Sequence, residues 1–451
     1  MASTQSPPIA AGEEYEVEAL RQNDDGDGVA HIRGMTVFIP FLLPGERARV
    51  RIEQVEKRFA RARLLDRLNN VPDRVQPRCP VFTRCGGCQV QHVAYAAQAA
   101  WKEARIRRMA ERLGLDTGLV RPIETARTPF HYRNQVQMPV RWNAAAQRVE
   151  MGFFELGSHD MAVTETCLLV PEAMDDVLRR ARWFLTSLGS TAQFVHHVIV
   201  RQSSATGDMA VVFALATDDP SVKRSVGRFH APRVAQVAVT VQPRSHGPVW
   251  GPSVHVMKGA DHLEENLCGL RVRWSPRSFL QVQADMAERM YQHVVRAAGL
   301  RETDVVIDAY CGIGAMTLLL ASHAARAVGV EEVEDAIQDA RANAKLNQVR
   351  NAEFVVDRVE RWLPRFVEAG NRADVLVFDP PRKGVDRAAI EAAAEVNVER
   401  LVYVSCNPAT LERDLRLLAA RGFYVTNIHP FDMFPQTSHV ECVVTMRRGL
   451  L

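Results

Sequence analysis

No stretch of this chain approaches the ~20 consecutive apolar residues that a membrane-spanning helix requires, so helical spans are not expected. Strong net charge is also missing. The 56 Lys and Arg nearly cancel the 53 Asp and Glu to leave +3, too little by itself to argue for a nucleic-acid partner. Internal repeats and low-complexity tracts are absent, which excludes solenoid and linker-like architectures. The N-terminus lacks a charged-then-apolar signal, and the first dozen residues, with Pro7 and Pro8, read as a loose tail. A cytoplasmic protein is the expectation. Cysteine is sparse, at eight residues in 451, and in that compartment these should be thiols rather than disulfides.

At 451 residues the chain is too long for one ordinary core, so two or three domains are expected. From Glu14 to about Leu68 short alternating segments separated by turns suggest a five-stranded OB-like barrel. Pro72, Pro77 and Pro80 mark a link, and Ala96 to Leu113 reads as an amphipathic helix closed by Gly114. Strands over Phe194–Gln202, Met209–Leu215 and Ala235–Val241 indicate a mixed α/β middle region. After Ser278 strands alternate with helices, which implies a parallel sheet covered on both faces. The resulting division is 12–70, 71–277 and 278–451, with helix 96–113 packing on the last part.

Local charge says more than net charge. Lys57, Arg58, Arg61 and Arg63 surround Phe59, and Lys102, Arg105, Arg107, Arg108 and Arg112 have the spacing of one helix face. Cations beside a stackable ring suit a phosphate backbone with splayed bases, although either cluster taken alone reads first as a solvated helix face or an ordinary strand edge.

Three segments should converge at the carboxyl edge of the last sheet. In Asp308-Ala309-Tyr310-Cys311-Gly312-Ile313-Gly314, Gly312 and Gly314 permit a tight turn and close backbone approach to a ligand. Glu331, about 20 residues on, is placed to bind ribose hydroxyls, and a Thr at 317 where a dinucleotide motif would want glycine favours a nucleoside over NAD. Asp379-Pro380-Pro381-Arg382 is a rigid acidic exit from a strand. Ser405-Cys406-Asn407-Pro408 also follows a strand and opens a helix, whose dipole is expected to lower the thiol pKa. His439 and Glu441 flank Val440 and would share a face of an alternating strand. Separately, Cys79-x5-Cys85-x2-Cys88 with Cys167 downstream forms a four-thiolate set that suits either structural zinc or a [4Fe–4S] cluster.

Taken in order, Ser278-Phe279-Leu280-Gln281-Val282-Gln283, Tyr310 to Gly314, Asp379 to Arg382, Val404 to Thr410 and Asp432 to Glu441 resemble the bacterial RNA 5-methyluridine methyltransferases of the TrmA and RlmD type. The N-terminal barrel resembles a TRAM domain. The resemblance implies a Rossmann-like S-adenosylmethionine-dependent catalytic domain, with Cys406 as nucleophile, Glu441 as general base, and Gln281, Tyr310, Gly312, Gly314, Glu331 and Asp379 at the methyl donor. It also implies a [4Fe–4S] cluster on Cys79, Cys85, Cys88 and Cys167. An RNA substrate is implied, 23S rRNA before the tRNA T-loop, for a monomer that meets no membrane. A non-catalytic iron–sulfur RNA-binding factor is the reading from another class. Three positions depart from the family pattern: Gln283 replaces an Asn, and Ala315 and Arg358 stand where donor-contacting Asn residues are usual.

Overall fold

The computed structural model describes residues 9–243, 248–396 and 398–449, so residues 1–8 of the expected tail lie outside the described residues. The chain divides into two compact units. Unit one comprises residues 1–105, 154–162 and 434–438, and unit two comprises 106–153, 163–433 and 439–451.

In unit one, six strands (Glu14–Glu18, Arg21–Gln22, Gly28–Ile32, Met35–Ile39, Arg47–Val55 and Phe59–Arg67) form one sheet. Its interior is a cluster including Ala30, Val37, Ile39, Val50, Ile52 and Ala60, drawn from alternate positions as a half-buried sheet requires. The sheet has six strands where five were expected, and at the start of Gly28–Ile32 an added Cβ on Gly28 would lie 2.6 Å from the Leu42 carbonyl oxygen. The cysteine loop, residues 79–88, follows this sheet and leads into the helix Tyr95–Arg112. That helix matches its predicted bounds to within a residue, and Gly114 beyond it takes a left-handed φ of 70°.

Unit two holds two sheets of more than two strands. The first includes, in spatial order, Val254–Gly259, Val234–Val241, Met209–Leu215, Val195–Gln202, Gln135–Asn143 and Arg148–Phe154 among its seven strands. The helix Glu172–Ser187 buries Met174, Val177, Leu178, Ala181 and Leu185 in the core of this sheet. A hairpin, Leu263–Leu267 with Leu270–Trp274, was not legible as a strand pair. It turns on Cys268 and Gly269, both at positive φ, as a two-residue hairpin turn demands.

The second sheet carries the candidate site. Its strands, in chain order, are β1 (Val305–Ala309), β2 (Arg326–Glu331), β3 (Ala352–Val356), β4 (Val375–Phe378), β5 (Arg400–Ser405), β6 (Phe423–Phe431) and β7 (Glu441–Arg448). Their spatial order is β3-β2-β1-β4-β5-β7-β6. β1 to β5 pair in parallel, while β7 runs antiparallel between β5 and β6. The central strand β4 reads as a continuous apolar run because both of its faces are buried. Val375–Phe378 is buried at every position. β6 went unread from sequence, since Thr426, Asn427 and His429 interrupt its apolar pattern. The order reverses between β1 and β4, and that reversal opens a crevice at the carboxyl ends of the strands, where open α/β sheets bind their ligands.

Candidate active site

The turn after β1 is the tightest part of this crevice. The backbone N–H groups of Tyr310 and Cys311 both donate to the Val330 carbonyl, at 2.9 and 3.0 Å. Tyr310 adopts a φ of 71°, a conformation a bulky residue takes only under constraint. Gly314, at φ 82°, caps the helix Ala315–Ala321. A Cβ there would meet Phe354 Cε1 at 2.7 Å and the Ala340 Cβ at 2.8 Å, so no other residue fits. Gly312, at φ 53°, has open space where a Cβ would stand, which leaves its backbone approachable by a ligand.

Two acids stand beside this turn. Glu331, the last residue of β2, accepts from the N–H of Gly312 at 3.3 Å and of Val333 at 3.0 Å, so its carboxylate is fixed against the glycine turn. Burial pushes its pKa up while those backbone donors pull it down. Asp308 lies buried beneath, accepting from Thr317 Oγ1 at 2.5 Å, and burial raises its carboxyl to about 7. Thr317, which counted only as the absence of a glycine, is therefore the partner of a buried acid. Gln281 is buried and its carbonyl accepts from Asn134 Nδ2 at 2.9 Å. Gln283 precedes the helix Ala284–Ala298, buried, with no hydrogen-bond partner for its Oε1 among the described residues. A longer amide at this departure from the family pattern thus leaves one acceptor for a ligand or water. The other departures are placed as well. Ala315 is buried as the first residue of its helix, and the exposed Arg358 pairs with Glu332 at 3.1 Å.

Asp379 leaves β4, its N–H donating to the Ala309 carbonyl at 3.3 Å. Burial and then the neighbouring Asp308 push its carboxyl up to about 7. Cys406 directly follows β5. Ser405 is paired with Cys442 on β7, so Cys406 and Glu441, each one residue beyond that pair, lie at the same end of the two strands. Glu441 is the first residue of β7 and only 2% exposed. Burial, with Asp379 adding to it, holds its carboxyl well above the usual range, against the opposing charge of Arg382.

Two expectations need correction here. Asn407 and Pro408 do start a helix, Pro408–Ala419, with Asn407 Oδ1 accepting from the Ala409 N–H at 3.1 Å. Even so, the Cys406 thiol is not lowered. Burial, then the carboxyls of Glu441 and Asp379, push it up to about 11, and Arg382 only partly opposes them. His439 does not share a strand face with Glu441, because β7 begins at Glu441. The His439 ring instead meets the Arg382 guanidinium at 2.9 Å.

Arg382 is the functional residue that sequence reasoning left without a role. Its carbonyl accepts from Asn407 Nδ2 at 3.1 Å and Thr410 Oγ1 at 3.3 Å, which ties the Asp379 loop to the cysteine's helix. Its charge acts on both Cys406 and Glu441. Its place directly after the two prolines was the available signal. Tyr291, on the helix Ala284–Ala298, is the other. Burial raises its hydroxyl, and Asp379, Asp308 and Glu441 add to the shift, so it faces the same acids. Nothing marks it in the sequence.

Of the four cysteines expected at a cluster, Cys79, Cys85 and Cys88 belong to unit one and Cys167 to unit two. Gln91 draws part of the loop together, its Oε1 accepting from the Cys79 N–H at 3.3 Å and its Nε2 donating to Cys88 Sγ at 3.3 Å. The Gly87 N–H donates to Cys85 Sγ at 3.4 Å, and the Cys167 N–H to Asp175 at 3.0 Å. Among the described residues no group of three or more His, Cys, Asp and Glu is arranged to hold a metal ion. Among them, too, no helix is long and apolar enough to cross a membrane.

A glycine turn after β1, an acid at the end of β2 and an acid after β4, on a sheet of this order, are the arrangement of an S-adenosylmethionine-dependent methyltransferase fold. Residues 260–449 match the family described as tRNA (Uracil-5-)-methyltransferase, and residues 10–65 match the TRAM domain. An uncharacterized RNA methyltransferase of Halalkalibacterium halodurans is 36% identical over 455 residues, covering 98% of this chain and 99% of that protein. One from Bacillus cereus is 36% identical over 459 residues, covering 99% of each. The fold is also that of the Pyrococcus abyssi tRNA (uracil-54, C5)-methyltransferase crystallised with S-adenosyl-L-homocysteine, with a TM-score of 0.74 at 24% identity over 95% of this chain and 99% of that one. The chain belongs to the S-adenosylmethionine-dependent RNA uracil-C5 methyltransferase family and carries an N-terminal TRAM domain.

The raised thiol gives a direct pH prediction. Only the thiolate is alkylated, so in ligand-free protein the iodoacetamide rate at Cys406 should climb about tenfold per pH unit from 7 to 9.5, still below a pKa of about 11. Peptide mass spectrometry follows the site, and a rate already level at pH 8 would contradict the geometry.

Proposed function

We propose that this protein forms 5-methyluridine in 23S rRNA through a covalent adduct on Cys406. The single observation that supports the reading is the register of β5 and β7, which pairs Ser405 with Cys442 and so brings Cys406 and the buried Glu441 to the same strand end, where each feels the charge of Asp379. Carbon 5 of uracil is a poor nucleophile. The Cys406 thiolate adds to carbon 6, giving an enolate whose carbon 5 takes the methyl group. Glu441 removes the carbon 5 proton, the carbon–sulfur bond breaks, and Cys406 leaves as thiolate. The donor, when bound, supplies an electrophilic methyl on a positively charged sulfonium. Gln281, Tyr310, Gly312, Gly314, Glu331 and Asp379 are the residues proposed to hold it.

Burial disfavours the charged forms of Cys406 and Glu441, and a nearby cation opposes that shift. Arg382 supplies part of that charge, and a bound sulfonium supplies more. The target uridine must be unstacked to reach the buried thiol, so a loop or bulge is the expected substrate.

The choice of 23S rRNA rests on the TRAM domain together with the cysteine set. Methylation of the tRNA T-loop is the second reading, favoured by the family's description and by the activity of the Pyrococcus abyssi protein. Cys79, Cys85, Cys88 and Cys167 are proposed to take a [4Fe–4S] cluster, for which the soft all-thiolate donor set is the support. Methyl transfer itself is redox-neutral. Domain limits of 12–70, 71–277 and 278–451, a monomeric state and a cytoplasmic location complete the proposal. A binding factor without catalysis remains the contrasting class, and the intact Cys406, Glu441 and Asp379 weigh against it.

Labelled donor incubated with unmodified 23S rRNA and tRNA in separate pools should place label in 5-methyluridine of the 23S rRNA. Label in tRNA alone would overturn the substrate and keep the chemistry, whereas no label in either would favour the binding factor. Cys406→Ala should lose turnover by at least a thousandfold. Glu441→Gln should retain methylated RNA as a covalent adduct on a denaturing gel. Protein purified without oxygen should carry about four iron atoms and a broad visible absorption near 400 nm. One zinc and no such absorption would replace the cluster with a structural metal.

A further inference from the structure

Within unit one lies a cavity of about 590 Å³, inside the ~300–1,000 Å³ usual for small-ligand sites. Its lining combines the strand end and link of the TRAM sheet (Leu64, Arg67, Arg74) with the start of the cysteine loop (Cys79, Phe82), and with Phe41 and His92. It is built of residues 41–92, all within unit one, and includes none of the residues proposed for methyl transfer.

Three of its walls are rings. Phe41, Phe82 and His92 form a closed triad, with centroids 5.1 Å apart for Phe41–Phe82, 5.9 Å for Phe41–His92 and 5.5 Å for Phe82–His92. Phe41 is half-buried and held at a φ of 67°, a conformation that an aromatic residue adopts only when its surroundings enforce it. The enforcement is visible. Arg74 donates to the Phe41 carbonyl at 2.7 Å and is itself anchored on the fully buried Glu46.

His92 is 1% exposed, yet neither ring nitrogen has a hydrogen-bond partner among the described residues. A buried imidazole left this way carries one donor and one acceptor with nothing to meet them, an arrangement that folded proteins avoid unless a ligand or water completes it. Burial and the nearby Arg74 and Arg67 keep the ring neutral, so it offers both functions rather than a second charge. At the rim, Arg67 is about one-third exposed, with Asn70 and the Glu46 carboxylate as its contacts.

Aromatic faces, a neutral donor–acceptor pair and a cation at the mouth are the recognition chemistry of a nucleotide. The base stacks and hydrogen-bonds within, and its phosphate meets the arginine. We propose that this cavity binds one unpaired nucleotide of the RNA substrate, away from the nucleotide that is methylated. The inference rests on the RNA-methyltransferase reading for the identity of its ligand. It assigns the TRAM domain and the cysteine loop a joint role in choosing which RNA is held.

The test uses the full chain, purified without oxygen, and short single-stranded RNA carrying 4-thiouridine or 6-thioguanosine at random positions. Photo-crosslinks should map to the peptides bearing Phe41, Phe82 or His92. Phe41→Leu should raise KM for RNA about five- to a hundredfold, the range that loss of one base–aromatic stack produces. Arg67→Gln, at a partly exposed position, should raise it severalfold, with an unchanged thermal unfolding midpoint as the control for an intact fold. Crosslinks elsewhere and an unmoved KM in both variants, with RNA methylation intact, would overturn the proposal. Saturable binding of free 5′-UMP or 5′-AMP that RNA does not compete away would overturn it too, in favour of a free-nucleotide site. Crosslinks at the cavity in a protein that methylates no RNA would leave the pocket standing and remove the proposed function.

Discussion

Ser405 pairs with Cys442 because β7 inserts antiparallel between β5 and β6, and every chemical property of the site follows from that pairing. The register carries Cys406 and Glu441 to the same end of the two strands. The same sheet order brings Asp379 from β4 and the glycine turn from β1 to the same edge. A one-residue slip would turn Glu441 to the other face and leave the thiol without its acid. The buried runs of β4 and β5, together with Val443, Val444 and Met446 on β7, forbid such a slip.

Burial then does the chemical tuning. Asp308 and Asp379 are pushed to about 7, Cys406 to about 11, and Glu441 well above its ordinary range. Burial disfavours the ionised form of each of these groups relative to the same group in water. A positive charge brought beside these groups would favour their ionised forms, as Arg382 already does in part.

Much of this was legible in sequence where geometry is dictated by short-range rules. The strand–turn–helix of residues 305–321 shows in its glycines, and the helix Tyr95–Arg112 in its periodicity and closing Gly114. Cys406 stood out because it follows an apolar strand at the edge where three ligand-side segments converge, with Asn407-Pro408 opening a helix after it. What sequence could not show depends on partners far along the chain. β6 is polar enough to hide, and its pairing with β7 is a tertiary fact. The helix-dipole argument for a low thiol pKa failed because it weighed one local term, while desolvation and two acids from other strands outweighed it. Tyr291 and His92 carry no motif and become notable only through what surrounds them.

The central claim is that Cys406 bonds to carbon 6 of a uracil before the methyl group is fixed. RNA in which uridine is replaced by 5-fluorouridine tests it, because fluorine at carbon 5 leaves no proton for Glu441 to remove. With donor present, the account predicts a stable protein–RNA adduct that survives denaturation, with the modified nucleotide found by mass spectrometry on the peptide containing Cys406. Methylated RNA released freely, or an adduct on any other cysteine, would contradict it.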